Sequence, residues 1–328
     1  MAARPGSDVP TISSNGIDRM EKQILRWLRE YLPATPATLI GPGDDAALLD
    51  WSDSDQCLIA TDTIVEGLDF LLDTCPLPNV GRKALAINLS DLAAMGALAI
   101  SATVSLVLPS SDPFGTCREI IQGMQTLAHD FGLSISGGDI SIWDGPLIAT
   151  VTALGKPGPG GVLTRHGAQE GDQLLVTGSL GGSILSHHHS FTPRLEEIVT
   201  LTTGYRIHAA IDISDGLELD LSRLAEASQL AARIDPTTVP VSTAAHEVTQ
   251  GQTTGATALQ HALHDGEDFE LLLAVAPDVA ETLLQDQPID CGITWIGDFA
   301  TGDGVYTRLA DGSLKAVEPQ GYVHGEKG

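Results

Sequence analysis

The sequence predicts an α/β or α+β protein, because segments with strand and helix periodicity alternate along most of the chain. Residues 100–108 alternate apolar with polar side chains, which is typical of a half-buried strand. Residues 80–96 instead repeat apolar side chains at helical spacing, with a buried stripe formed by Ala84, Leu85, Leu89 and Leu92. At 328 residues the chain is also too long for one typical core, so we expect two domains.

The same two periodicities predict the remaining elements in order. Further helices are expected at residues 17–32, 113–131, 217–228, 256–264 and 277–284. Further strands are expected at residues 58–61, 147–154, 173–177, 209–213, 269–275 and 293–296. Pro113 suits the first position of its helix, where a missing N–H costs no hydrogen bond. The strand at 58–61 is expected to end at Asp62.

A Gly- and Pro-rich segment at 155–161 predicts the domain boundary, with the sequence GKPGPGG. We therefore expect an N-terminal domain at 17–155 and a C-terminal domain at 162–328, with a mobile segment at 1–16. The segment is not a phosphate-binding P-loop, because no G-x-x-x-x-G-K-[ST] pattern occurs in the chain.

The charge of the chain argues against several classes of partner. The sequence has 43 Asp and Glu against 17 Lys and Arg, a formal net charge of −26, which disfavours nucleic acid and anionic membrane surfaces. No apolar run is long enough to span a membrane, and residues 1–15 lack the apolar core of a secretory signal. The four cysteines have no C-x-x-C spacing, so we expect free, buried thiols and a reducing, cytoplasmic location.

Five short acidic segments carry the main functional signal, at residues 43–45, 61–63, 90–92, 137–139 and 212–216. An Asp beside Gly, Ser or Thr is most often a turn or a helix cap, and we expect Asp112, Asp144 and Asp303 to be of this kind. Asp91, however, lies in an apolar helix, where an unpaired charge is costly. A shared site for hard cations such as Mg²⁺, which prefer oxygen ligands, would resolve that cost.

Several Mg²⁺ ions would suit a polyphosphate substrate, because phosphoryl transfer depends mainly on positioning and charge neutralisation. The chain has no G-x-S-x-G pattern and no recognisable Cys/His pair, so we expect no covalent nucleophile. The acidic run at 266–270 suits a turn and also a ligand contact. Arg165 suits a phosphate contact and a surface ion pair equally. We interpret His187, His188 and His189 as a solvated loop, because Mg²⁺ does not favour imidazole.

Taken in order, these segments resemble the thiamine-monophosphate kinase family, which is part of the aminoimidazole-ribonucleotide-synthetase-like ATP-binding superfamily. The resemblance covers residues 17–322. It rests on the motifs GDDAA at 43–47, TDTIVEG at 61–67, KALAINLSDLAAMG at 83–96, GGD at 137–139, LTR at 163–165, IDISDGL at 211–217 and GEDFE at 266–270. The run at 83–96 and the last two motifs together are the most specific.

The resemblance implies a reaction, a fold and a set of ligands. The family transfers the γ-phosphoryl group of ATP directly to thiamine monophosphate, giving thiamine diphosphate. The implied fold is a two-domain synthetase-like α/β protein whose N-terminal domain forms a β-barrel with that of a second subunit, so we expect a homodimer. Matching of motif positions assigns Mg²⁺ to Asp45, Thr61, Asp62, Asp91, Asp139, Asp212 and Asp215. It assigns ATP to Arg165 and Ser214, and thiamine monophosphate to Glu267 and Tyr322.

Asp69 departs from the family pattern, which has a substrate-contacting His at this position. An Asp there would repel the substrate phosphate unless it is protonated, metal-bound or turned away. This departure leaves open a related superfamily enzyme that acts on a different phosphate or small acceptor. A Mg-nucleotide-binding protein without turnover is the non-enzymatic alternative, and it would show only nucleotide-dependent thermal stabilisation.

Overall fold

The computed structural model describes residues 23–24, 26–28, 30–33, 35–36, 38–40, 48–52, 54–185, 187–251 and 255–322. The described chain forms a four-stranded sheet, a seven-stranded sheet and a short pair of strands, with helices between them. This is the mixed α/β architecture that the sequence predicts. The predicted helix at 17–32 lies partly outside the described residues, and it is helical at 23–24, 26–28 and 30–31. The predicted mobile segment at 1–16 lies wholly outside them.

The first sheet comes from the N-terminal half of the chain and has the order β3-β6-β4-β5. Its strands are β3 (Leu58–Val65), β4 (Ala97–Pro109), β5 (Ser134–Trp143) and β6 (Ile148–Pro157). β4 and β5 are parallel, while the other neighbours are antiparallel. In β6 the buried Ala149, Val151 and Ala153 alternate with half-buried side chains, which confirms the predicted period of two residues. The pair outside this sheet is β1 (Thr38–Ile40) with β2 (Leu48–Leu49).

Two helices, α1 (Leu77–Ala94) and α2 (Pro113–Asp130), pack closely against each other beside this sheet. A Cβ at Gly81 would lie 2.0 Å from the Ile120 carbonyl oxygen, so only glycine allows this approach. Asp112 caps α2, because its carboxylate accepts the Gly115 N–H at 3.0 Å. The cap predicted at Asp112 is therefore confirmed.

The second sheet comes from the C-terminal half and has the order β13-β12-β9-β11-β7-β10-β8. Its strands are β7 (Gln173–Thr177), β8 (Ile207–Asp212), β9 (Ala231–Ile234), β10 (Leu271–Val275), β11 (Ile293–Ala300), β12 (Val305–Arg308) and β13 (Leu314–Val317). The helices of this half are α3 (His187–Ser190), α4 (Leu195–Gly204), α5 (Leu217–Ser228), α6 (Thr243–Gly251), α7 (Ala258–His264) and α8 (Pro277–Asp286). Both faces of the sheet are covered. Leu271 and Leu273 of β10 join the core that continues into the N-terminal half, whereas Leu272 joins a separate core with α5.

β5 is the main element of the N-terminal sheet that the sequence analysis missed. It contains Gly137 and Gly138, and glycine is a poor strand former. A Cβ at Gly138 would lie 1.8 Å from the Val104 carbonyl oxygen, so glycine is needed where β5 meets β4. The predicted end of β3 is also wrong, because the strand continues to Val65 and leaves Asp62 in its middle. β6 continues to Pro157, so the first three residues of the predicted linker belong to a strand.

All four cysteines are unpaired. Cys75 and Cys117 are buried, as expected. Cys57 is exposed and Cys291 is half-buried, so the expectation of buried thiols is wrong for these two. Within the described ranges, no helix is both long enough and apolar enough to cross a bilayer.

Candidate active site

A cavity of about 340 Å³ is lined by residues from both halves of the chain. Its described lining includes one basic side chain, Lys83, and seven carboxylates. The carboxylates are Asp62, Asp69, Asp91, Asp212, Asp215, Asp265 and Glu267. Ser214 and Tyr322 also line it. The structure therefore gathers most of the predicted metal, ATP and substrate residues around one space.

Asp62, Asp91 and Asp212, which we call the acidic trio, reach the cavity from three different elements. Asp62 lies on β3, on the same face as the buried Ile64. Asp91 lies on α1, and Asp212 is the last residue of β8. Ser90 Oγ donates a buried hydrogen bond of 2.8 Å to Asp212 Oδ2. This bond ties α1 to the C-terminal sheet and fixes the orientation of one member of the trio.

The carboxyl groups of the acidic trio have raised pKa values. Burial, together with the charges of Asp212 and Asp62, raises the pKa of Asp91 to about 8. Burial raises the pKa of Asp62, although a hydrogen bond with Asp91 acts in the opposite direction. Burial also raises the pKa of Asp212, against the Ser90 hydrogen bond and the charge of Arg165. The surroundings of Asp91 therefore favour its protonated form in the absence of a cation.

The acidic trio fits Mg²⁺ that is held jointly with phosphate oxygens. Among the side chains that the structure describes, no three His, Cys, Asp or Glu stand close enough to hold an ion alone. Mg²⁺ usually binds through one or two carboxylates and completes its shell with water and substrate phosphates. The trio offers only oxygen ligands, and its mutual repulsion is what a cation would relieve. The predicted ligand Asp45 lies outside the described residues.

Ser214 and Asp215 lie in the bend between β8 and α5. Asp220 fixes this bend, because its Oδ2 accepts the backbone N–H groups of Ser214 and Asp215 at 3.0 and 2.8 Å. Burial raises the pKa of Asp220 to about 6. Asp220 was not predicted from the sequence, where its signal is an acidic residue in the first turn of a helix. Asp215 is paired with Arg223 at 2.6 Å, so part of its charge is already balanced.

The three predicted substrate residues, Asp69, Glu267 and Tyr322, all line the cavity. Asp69 Oδ2 accepts the Val65 backbone N–H at 2.7 Å, so the carboxylate stabilises its own turn. One oxygen of Asp69 is therefore occupied by a bond within the chain, although the residue lines the cavity. Glu267 has a left-handed backbone with φ 54°, and its N–H donates to the Ser214 carbonyl at 2.7 Å. The N–H of Tyr322 donates to the Asp215 carbonyl at 2.8 Å.

A second cavity of about 530 Å³ shares Asp91 with the first and contains Arg165. Its apolar lining comprises Leu58, Ile59, Ala60, Leu92, Ala94, Met95, Val162 and Ala210. Arg165 forms no ion pair with any described residue, so the surface-pair alternative has no support there. The positive charge of Arg165 acts instead on Asp91 and Asp212, where it offsets part of the rise in their pKa values.

Thr61 and Asp139 do not join the acidic trio in a single chain. Thr61 alternates with Asp62 along β3, so it points to the other face of the sheet, where its hydroxyl lies 3.0 Å from that of Thr152. Asp139 is exposed on β5, at the edge of the sheet opposite β3. Three strand spacings, about 14 Å, separate these two strands.

Two further acidic residues of the run at 266–270 face away from the cavity. Asp268 Oδ1 accepts the Gly181 N–H at 2.8 Å, and Glu270 is bound by Arg194 and Thr177. Of this run, Glu267 is the carboxylate that lines the cavity.

The interpretation of His187, His188 and His189 as a solvated loop is wrong. They form the short helix α3 and are half-buried. Burial, together with His188 and Lys83, lowers the pKa of His189 to about 4, so this imidazole is neutral near pH 7.

Comparison with known proteins gives a consistent assignment. Residues 43–156 match the N-terminal domain of AIR synthase related proteins. Thiamine-monophosphate kinase of Rhodopirellula baltica is 41% identical over 317 residues, which span 94% of this chain and 98% of that protein. The crystal structure of thiamine-monophosphate kinase from Stenotrophomonas maltophilia K279a is 32% identical, with a TM-score of 0.72 over 90% of this chain and 96% of that one. AaThiL complexed with AMPPCP and TMP shares the fold, at 24% identity and a TM-score of 0.70 over 97% and 99% of the two chains. The chain belongs to the thiamine-monophosphate kinase family.

Proposed function

We propose that this protein transfers the γ-phosphoryl group of ATP to the phosphate of thiamine monophosphate, giving thiamine diphosphate and ADP. One observation carries the proposal beyond family membership. The cavity is lined both by the acidic trio and by the substrate residues Glu267 and Tyr322, which come from distant parts of the chain. The AaThiL complex with AMPPCP and TMP supports the pairing of an ATP analogue with this substrate.

The acidic trio and Asp215 are the residues that would hold Mg²⁺ in this reaction. When bound, Mg²⁺ would neutralise the phosphates, whose charges otherwise repel each other and the carboxylates. The pKa of Asp91 is raised, so binding of a cation by this carboxylate would be accompanied by loss of its proton. Ser90 holds Asp212 in place, and Asp220 holds the bend that carries Ser214 and Asp215. No protein nucleophile is required, because the attacking oxygen belongs to the substrate phosphate.

The second cavity suits the nucleoside of ATP. Its apolar lining can cover a base, and Arg165 brings a positive charge for phosphate. Asp91 lines both cavities, so a nucleotide lying in the second would direct its terminal phosphate towards the acidic trio.

The reaction can be tested with purified protein, Mg-ATP and thiamine monophosphate. Thiamine diphosphate is expected to form and can be measured by thiochrome fluorescence after separation. Nucleotide-dependent thermal stabilisation without any ADP release would contradict the proposal and favour a non-catalytic nucleotide-binding protein. ADP release with another phosphate acceptor, but none with thiamine monophosphate, would favour a related enzyme of different substrate choice.

We also propose that the protein acts as a cytoplasmic homodimer, with domains at 17–155 and 162–328. The support comes from the face of the N-terminal sheet that carries Thr61. Ile59 on this face is 65% exposed, and the outward side chains of β6, such as Thr150, are only half-buried. A second copy would cover this face, where Asp139 and Thr61 also lie.

The dimer can be tested by sedimentation velocity at micromolar protein concentration. The wild type is expected to sediment as a dimer. Thr150→Arg, which places a charge in the middle of the face, is expected to give a monomer, while Thr237→Arg on an exposed turn should remain dimeric. A monomeric wild type would contradict the proposal.

A further inference from the structure

Lys83 is a buried lysine in the cavity lining to which the proposed reaction gives no role. It is 2% exposed. Its Nζ donates to Glu267 Oε1 at 2.5 Å and to the Asp69 carbonyl oxygen at 3.0 Å. A buried ammonium group is stable only when it is paired and hydrogen-bonded, and Glu267 supplies the opposite charge. The pair joins α1 to a turn that lies 184 residues further along the chain.

Lys83 lies some distance from the acidic trio along α1. Lys83, Ile87 and Asp91 line the cavity at intervals of four residues, which places them on one face of the helix. With a rise of 1.5 Å per residue, about 12 Å separates Lys83 from Asp91 along the helix axis. Thiamine monophosphate is elongated, with its phosphate at one end and an amino-substituted pyrimidine ring at the other. If its phosphate lies near Asp91, the pyrimidine ring lies towards Lys83 and Glu267.

Glu267 has one carboxylate oxygen that remains available to a ligand. Lys83 holds Oε1, and Oε2 has no hydrogen-bond partner in the described part of the chain. The backbone of Glu267 is fixed by its N–H bond to the Ser214 carbonyl oxygen. Phe269 and Tyr322 also line the cavity and offer ring surfaces beside this oxygen acceptor.

We propose that Lys83 is a positioning residue that sets the substrate selectivity of the site. Its ammonium group holds Glu267 by Oε1, so that Oε2 accepts a hydrogen bond from the amino group of the pyrimidine ring. The same ammonium group also donates to the Asp69 carbonyl oxygen. It thereby fixes the turn in which the Asp69 carboxylate accepts the Val65 N–H. This inference rests on the proposed function and explains how that site would distinguish a substrate with an amino-substituted ring from one with an oxo-substituted ring.

The experiment compares thiamine monophosphate with the analogue that has an oxo group in place of the amino group. For each, kcat/KM is measured at saturating Mg-ATP, and the KM for ATP is measured separately. Lys83→Met is expected to raise the KM for thiamine monophosphate at least about 10-fold and to shrink the preference for the amino substrate. The KM for ATP should not change. Lys83→Arg should restore part of the preference, and Lys315→Met on an exposed strand should match the wild type.

Glu267→Gln keeps the inference testable even if Lys83→Met does not fold. Lys83 requires an acceptor, so the amide oxygen should face it and the amide NH₂ should face the ring. This donor should favour the oxo analogue and reverse the preference of the wild type. In Lys83→Met/Glu267→Gln the amide is free to rotate, so the reversal should weaken.

The outcomes separate this inference from the proposed function. A wild type that forms no thiamine diphosphate overturns both. An active wild type whose preference between the two substrates is the same in Lys83→Met, or is not reversed in Glu267→Gln, overturns the role of Lys83 alone. Equal losses for both substrates and for ATP would show that Lys83 only maintains the fold, and would also overturn it.

Discussion

Two carboxylates with similar burial have different electrostatic surroundings in this protein. Glu270, 2% exposed, accepts hydrogen bonds from Arg194 through both oxygens, at 2.8 and 2.5 Å, and another from Thr177. Asp212, 3% exposed, accepts a hydrogen bond from Ser90 and lies near the other two members of the acidic trio, Asp62 and Asp91.

The difference indicates where the chain leaves charge for a ligand to balance. In the C-terminal core the chain supplies its own cation, Arg194, and the charge of Glu270 is satisfied. In the cavity, burial and repulsion raise the pKa values of the carboxyl groups, and the described residues supply no ion pair to the trio. The first group is therefore satisfied within the chain, whereas the second is costly until a cation or a proton balances its charge.

The largest expected effect follows from removing Arg194, the cation that pairs with the buried Glu270. Arg194→Met leaves Glu270 buried and unpaired, and should lower the free energy of unfolding by about 3–5 kcal/mol. Urea denaturation measures this. Asp91→Asn is the reference from the other group, and it should not destabilise the metal-free protein at about pH 8, because it removes a repelled carboxylate. Equal destabilisation by both variants would show that the two groups do not differ.

Asp62→Asn should lower turnover of thiamine monophosphate by about 10²-fold or more, because it removes one of the charges that we propose hold Mg²⁺. The thermal midpoint of the metal-free variant should stay at or above that of the wild type. Thiochrome fluorescence and thermal melting measure the two effects. Asp303→Asn, on an exposed turn, is the matched control and should remain active. Near-normal turnover of Asp62→Asn would remove this residue from the metal site.

The stability of the metal-free protein should depend on pH through Asp91. Its folded-state pKa of about 8 lies above the ordinary value of 3.8, so between these values the folded protein binds more protons than the unfolded chain. The free energy of unfolding then falls as pH rises towards 8. Thermal melts in EDTA from about pH 6 to about pH 8.5 should show this fall, and Asp91→Asn should show less of it. The same slope in both proteins would contradict the raised pKa.

The smallest effect concerns the hydrogen bond that joins the two halves. Ser90→Ala leaves an oxygen of the buried Asp212 without its donor, and should lower the free energy of unfolding by about 1–3 kcal/mol. Ser110→Ala removes an exposed hydrogen bond to Asp144 and should cost much less. Urea denaturation compares the two variants. Equal losses of the free energy of unfolding would show that the Ser90 bond does not stabilise the contact between the two halves.

Local patterns predicted the elements whose periodicity is strong. The apolar stripe of α1 and the alternation in β6 were both clear from the sequence, and the structure confirms them. β5 was missed because Gly137 and Gly138 hide its strand character, and Gly138 is needed only because β4 lies against it. Such a requirement arises from packing between distant segments, which no local pattern records.

The candidate site shows the same limit. Motif order predicted Asp62, Asp91, Asp212 and Asp215, which the structure brings to one cavity. It also predicted Thr61 and Asp139, which lie elsewhere. The placement of Thr61 on the other face from Asp62 depends on β3 continuing beyond its predicted end. The contact of Lys83 with Glu267 joins residues 184 positions apart, and one oxygen of Asp69 is occupied by a bond within its own turn. Neither arrangement follows from residue spacing.

The most direct test of the account is the number of protons released when the nucleotide and its metal bind. Calorimetric titration of the wild type with Mg²⁺ and a non-hydrolysable ATP analogue, at about pH 7 in buffers of different ionisation enthalpy, gives this number. We expect net proton release from the wild type, because Asp91 must give up its proton to bind the cation, and less release from Asp91→Asn. Equal proton counts for the two proteins would contradict the claim that the acidic trio is the Mg²⁺ site.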